Sequence, residues 1–130
     1  MKYDKVVVDR KELDVLKNLF SAIHNEKDKT YRLSFEKLMK EIDKAMVVDS
    51  AEMPLDVIRL NSMVTIKTDF GGEKKFQLVI PAKSDLSQNK LSVMAPMGLA
   101  LFGYAEDDEV EWEFPSGLNT IRITKVEQPL

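Results

Sequence analysis

Leu91-Ser92-Val93-Met94-Ala95-Pro96-Met97-Gly98-Leu99-Ala100-Leu101-Phe102-Gly103-Tyr104 is the stretch that decides the fold, and Ser92 is its only clearly polar side chain. Its periodicity changes partway. Leu91 to Met94 reads as a strand, and Pro96 to Gly103 opens on proline and closes on glycine, the asymmetry that brackets a helix. A short buried helix is expected there. Met94, Met97, Leu99, Leu101, Phe102 and Tyr104 exceed what one face of such a helix buries. Part of them is therefore expected in the core and part in an exposed apolar patch of the kind that marks a protein interface. Methionine adapts well to a partner's surface.

Outward from this helix the pattern is that of a sheet. Met63-Val64-Thr65-Ile66-Lys67 predicts a strand that ends in the turn Asp69-Phe70-Gly71-Gly72. Lys75 to Ile80 predicts a second, stopped by Pro81, and a polar loop over Ser84 to Asn89 leads to the Leu91 strand. On the other side Val110, Trp112 and Phe114 alternate with Glu109, Glu111 and Glu113, a strand with one buried face. Pro115-Ser116-Gly117 turns the chain, and Ile121, Ile123 and Val126 close the sheet with Arg122 and Thr124 facing out.

The front of the chain is different. All five glycines and all five prolines follow residue 50, so a helical half precedes a turn-rich half, with the boundary near Asp49 to Pro54. After the β-prone Val6-Val7-Val8, Asp9 serves as N-cap with Glu12 three residues on, a capping box, and Val8 with Leu13 supplies a hydrophobic staple. Leu13, Leu16, Phe20 and Ile23 keep helical spacing up to a polar break over His24 to Thr30. Ser34 caps a second helix, with Leu33 and Leu38 as its staple and Phe35, Leu38, Met39, Ile42, Ala45 and Met46 as its apolar face. Two such helices pack antiparallel. At roughly 12–17 residues each they reach only about 20–25 Å. The expected architecture is α+β: a short antiparallel helical hairpin (a coiled coil) over 1–50, and over 51–130 an antiparallel sheet folded around one short helix.

Composition limits the chemistry. The 130 residues allow one compact domain, or one with a small appendage. No cysteine is present, so disulfides, thiolate metal sites and cysteine nucleophiles are excluded, and the single histidine, His24, leaves no multi-histidine metal centre. No apolar run approaches the ~20 residues of a membrane span, and the first residues lack a secretory core, so a cytoplasmic setting without membrane association is expected. Nineteen basic against 22 acidic side chains give no reason to expect duplex or sequence-specific nucleic-acid binding. Phosphate-cradling glycine motifs and a GxSxG elbow are absent, so neither a cofactor nor an enzymatic centre is expected.

Four candidates remain. His24, at the end of the first helix, suits the C-terminal dipole when protonated but is more simply a solvated helix-end residue. Glu26 and Asp28 at the hairpin tip suggest a carboxylate pair for Mg²⁺, although Lys27 and Lys29 alternate with them and neutralise the tip. Glu106-Asp107-Asp108-Glu109 reads as an exposed acidic turn, or as a docking surface for a basic helix. The fourth is the Met94-to-Met97 segment.

The run Leu91 to Gly103 resembles the C-terminal signature of the bacterial GreA/GreB transcript-cleavage factors, in which a strand leads into Ser-Pro, an Ala-Leu-hydrophobic-Gly helix, a Gly-Asp turn and a Pro-x-Gly turn. Asp108-Glu109-Val110 and Pro115-Ser116-Gly117 fill the last two slots. Met53-Pro54-Leu55-Asp56-Val57-Ile58-Arg59-Leu60-Asn61-Ser62 looks closer still to the Rnk branch of that family, and the Met-Ala-Pro variant also points to that branch. The resemblance covers 51–127 and is mainly architectural over 1–50. It implies an FKBP-like C-terminal domain without isomerase activity. It also implies a partner, RNA polymerase, whose secondary channel receives the hairpin and whose largest-subunit coiled coil, at the channel rim, meets the residues around Ser-Pro. By position these are Met94, Ala95, Pro96 and Met97. The family's polar residue and Ser are replaced by Met94 and Ala95, and its basic helix residue by Leu99, so the contact is expected to be more apolar.

The expectation is a polymerase-binding regulator that does not cleave transcripts, because so short a hairpin does not carry carboxylates from the rim to the catalytic metal. It would compete with longer factors. The rivals are a peptidyl-prolyl isomerase using the FKBP-like cleft, and a general interaction or dimerisation module.

Overall fold

The computed structural model describes residues 2–22, 36, 38–69, 72–114 and 117–129, with the side chains of 20–22 and 112–114 excepted. The chain opens with β1 (Val7–Asp9) and α1 (Arg10–Ala22), and a second helix, α2, runs over 38–43. It continues through β2 (Met46–Val48), β3 (Met63–Thr68), β4 (Gly72–Val79) and β5 (Lys90–Ser92) to α3 (Pro96–Leu101), β6 (Glu109–Phe114) and β7 (Gly117–Glu127).

Asp9 ends β1 and starts α1, its carboxylate accepting the Lys11 N–H at 2.8 Å. Val8 and Leu13, the staple pair, are both buried. The expected capping box is half-formed. Glu12 does not turn back to the Asp9 amide but reaches the chain at Arg59 and Leu60. Leu38 and Ile42 of α2 are buried as the periodicity requires. Met46, expected on the same helical face, instead begins β2 and is 49% exposed. β2 pairs parallel with β1, Val7 opposite Met46 and Asp9 opposite Val48. The chain therefore leaves β1 and returns beside it, with residues 10–45 in between.

The main sheet has the order β5-β4-β3-β7-β6. It is mixed rather than antiparallel, because β5 runs parallel to β4. Register explains an irregular spacing in β7. Thr65 pairs with Lys125 and Ile66 with Ile123, which leaves Thr124 as the extra residue of a bulge, its hydroxyl on the Thr65 carbonyl at 3.1 Å. That shift returns Val126 to the buried face after Ile121 and Ile123.

One hydrophobic cluster joins both halves of the chain. Val6, Val8, Leu13, Leu16, Leu38 and Ile42 pack with Val64, Ile66, Leu78, Leu101, Phe102 and Ile123. Gly103 marks the seam. Its φ of +85° is left-handed, a Cβ there would lie 2.9 Å from Val6 Cβ, and its carbonyl accepts the Val7 N–H at 3.0 Å.

Candidate functional site

The Met94-to-Met97 segment is built from the end of β5. The Ser92 hydroxyl accepts the Met94 N–H and the Ser92 carbonyl accepts the Ala95 N–H, both at 3.0 Å, so the strand turns within three residues. Ala95 is extended (φ −68°, ψ 152°) and Pro96 takes the first helical position, where its missing N–H and fixed φ cost nothing. Gly98 lets α3 settle on the strand it follows: a Cβ there would lie 2.4 Å from the Ser92 carbonyl oxygen and 2.9 Å from Val93 Cα.

The large apolar patch expected from sequence is not formed. Met94 is 6% exposed, and Leu99, Leu101, Phe102 and Tyr104 are buried in the core. The helix, strand and β1 together cover more of these side chains than a lone helix face would. What remains at the surface is the half-buried Ala95-Pro96-Met97 corner with Met94 beneath it. Beside Met97 lies a groove of about 510 Å³ between α3 and the β3–β4 face, with Ile66, Phe76 and Leu91 along it and Lys74 and Leu86 at its rim. Phe76 is the single aromatic residue among the described ones that line it, so the aromatic cage that a proline-binding cleft needs is not assembled there.

The acidic run does form a turn, over 106–107, but two of its carboxylates are structural. Asp108 is 5% exposed, and its carboxylate accepts the Lys2 N–H at 2.5 Å and the Ala105 N–H at 2.9 Å. Glu106 accepts the Val126 N–H at 3.0 Å. Asp107 and Glu109 stay exposed, so the exposed acidic surface is smaller than the sequence suggests only by Asp108 and part of Glu106.

A polar cluster unrecognised in the sequence lies at the base of the helical segment. Arg59 Nε donates to Glu12 at 2.9 Å, and its Nη2 also reaches Asp9. Ser50 donates its hydroxyl to Asp9 at 2.5 Å, and the Leu60 N–H donates to Glu12 at 3.0 Å. Burial pushes Asp9 up, but the Ser50 hydroxyl, the Lys11 and Glu12 N–H groups and Arg59 outweigh it and hold the carboxyl below its ordinary value. Glu12 ends on the other side: burial dominates and raises it, against the pull of Leu60 and Arg59. The signal was present in Val57-Ile58-Arg59-Leu60, a lone charge inside an apolar run.

His24, Glu26 and Asp28, and with them the hairpin tip, lie outside the described residues. Among the described residues no three His, Cys, Asp or Glu side chains are placed to hold a metal ion, and no helix is long and apolar enough to cross a membrane.

Over 84 residues the chain is 43% identical to the Escherichia coli K12 protein named regulator of nucleoside diphosphate kinase, a match that spans 64% of this chain and 62% of that one. It is 33% identical over 90 residues to transcription elongation factor GreA of Sphingopyxis alaskensis, across 69% of this chain and 57% of the relative. Its fold resembles the solved prokaryotic transcription elongation factor GreA/GreB from Nitrosomonas europaea, with a TM-score of 0.74 at 31% identity, over 95% of this chain and 99% of that one. Residues 53–128 match the family described as transcription elongation factor, GreA/GreB, C-term. Strand, Met-Ala-Pro corner, glycine-seated helix and closing hairpin all lie inside that match, and the chain belongs to the GreA/GreB family of transcription elongation factors.

Proposed function

We propose that the protein is a regulatory factor that docks on RNA polymerase at the rim of its secondary channel, through Ala95, Pro96 and Met97 backed by Met94, and occupies the channel without cutting the transcript. In that reading the C-terminal domain, FKBP-like in its short helix laid on a twisted sheet, is a docking module and not an isomerase.

The observation that carries it is the parallel pairing of β1 with β2. Both ends of the segment 10–45 are pinned side by side, so it must go out and come back. Were it two equal helical arms, its reach would be at most about 27 Å at ~1.5 Å per residue. That is a short arm for a factor whose cleaving relatives deliver tip carboxylates to a deeply placed metal, and Lys27 and Lys29 alternate with Glu26 and Asp28 in the sequence of the tip. Longer factors of the family would be displaced from the same rim.

Co-purification with RNA polymerase tests the docking. Wild type should be retained and Pro96→Asp should be lost while its circular dichroism stays unchanged, because Pro96 is half-exposed and a carboxylate can replace its ring at the first helical position. Equal retention of both would remove the corner from the interface. A dimer that Val15→Glu, at an exposed position of α1, dissociates, with no polymerase bound, would favour the dimerisation module instead.

A further inference from the structure

The groove beside Met97 has a charge asymmetry that the docking corner does not explain. Its floor is apolar, with Ile66 fully buried and Phe76 nearly so, while Leu91 and Met97 stay half-exposed along it. Leu86 stands at the rim on a short 3₁₀ turn with 77% of its surface in solvent. The charged residues among those described at the groove are lysines, Lys74 and Lys75, in a chain whose net charge is −3. Lys75 has Glu127 at 4.0 Å. Lys74 has no carboxylate within ion-pair distance among the described residues. It pairs directly with Ile66, on the same face as Phe76 and Leu78, and is exposed where it lines the groove.

We propose that this groove receives a bulky apolar side chain of an RNA polymerase segment whose neighbouring carboxylate meets Lys74. The proposal rests on the docking reading above and extends it, since Met97 belongs to both surfaces. An apolar side chain entering between Phe76, Leu91 and Met97 removes water from around the ammonium, and a carboxylate beside it satisfies that charge as it is desolvated. Leu86 then closes over the inserted side chain. A basic or purely apolar segment would leave Lys74 buried and unpaired, so the lysine selects against both.

The experiment measures the affinity of the full chain for purified bacterial RNA polymerase, comparing wild type with Lys74→Glu, Lys74→Arg, Leu86→Asp and Pro96→Asp. Reversing the charge should weaken binding about tenfold or more and Lys74→Arg should stay within about twofold, while all variants keep the wild-type circular dichroism. A photo-crosslinking residue placed at position 86 should label a polymerase peptide that contains Asp or Glu beside a large apolar residue. If Pro96→Asp abolishes binding while Lys74→Glu and Leu86→Asp leave it unchanged, the corner docks and the groove proposal is wrong. If wild type does not bind polymerase, the docking reading falls and this one with it. If Leu86→Asp instead dissociates a dimer of the chain, the occupant is a second copy and the proposal is overturned.

Discussion

Asp9 and Glu12 are three residues apart, contact the same arginine, and are pushed in opposite directions by their surroundings. For Asp9, held below its ordinary value, the native state gains from the ionised form, so the stabilisation is present above the ordinary carboxyl pKa and is lost as pH falls through the depressed one. For Glu12, raised by burial, ionisation works against the native state, so stability declines as pH climbs from the ordinary value through the raised one. Asp9→Asn should cost about 1–3 kcal/mol near neutral pH, since it strips a charged acceptor from Ser50, Lys11 and Arg59, and urea unfolding should show that cost shrinking at acid pH. Glu12→Gln should gain on wild type between acid and neutral pH. Gly98→Ala should cost about 1–3 kcal/mol, because α3 must lift from the Ser92 carbonyl to admit a methyl group, and calorimetry reads this as a lower Tm. Sequence reading located Asp9 and its staple because caps are local. It took Asp108 for a solvated residue because its partners, the amides of Lys2 and Ala105, become visible only once the N-terminus is folded against the turn.

At the scale of elements, those defined by neighbours in sequence were legible and those defined by distant partners were not. The Pro-to-Gly bracket located α3, period-two alternation located β6, and apolar runs bounded by turn residues located β3, β4 and β7. β2 was hidden because Ala45 and Met46 continue the helical spacing of Leu38 and Ile42, and three residues become a strand only when β1 lies beside them. The parallel β4–β5 pairing was hidden likewise, since it depends on the path of the loop between them. The apolar surplus around α3 was overcounted because a lone helix face is narrower than the pocket that β1, β5 and the sheet enclose. α1 bears on this directly. Leu16 is fully buried in the cluster that also holds the sheet residues, so Leu16→Ala should cost about 2–5 kcal/mol and shift a single cooperative urea transition. Two separate transitions would mean that the helical segment folds apart from the sheet.

At the scale of the whole molecule, a segment whose two ends are held together by β1 and β2 joins a C-terminal half that carries the half-buried Ala95-Pro96-Met97 corner and a lysine-rimmed groove. The parallel β1–β2 pair sets where that segment starts and returns, and the Arg59 cluster ties the first turn of α1 to the segment leading into β3. On the reading proposed above, both features would limit the reach of the segment between β1 and β2. The most direct measurement uses backtracked transcription complexes made with purified RNA polymerase. The chain alone should leave the transcript uncut, and in excess it should slow the cleavage stimulated by a GreA factor. Rapid cleavage by the chain alone, abolished by Glu26→Ala with Asp28→Ala, would contradict the account.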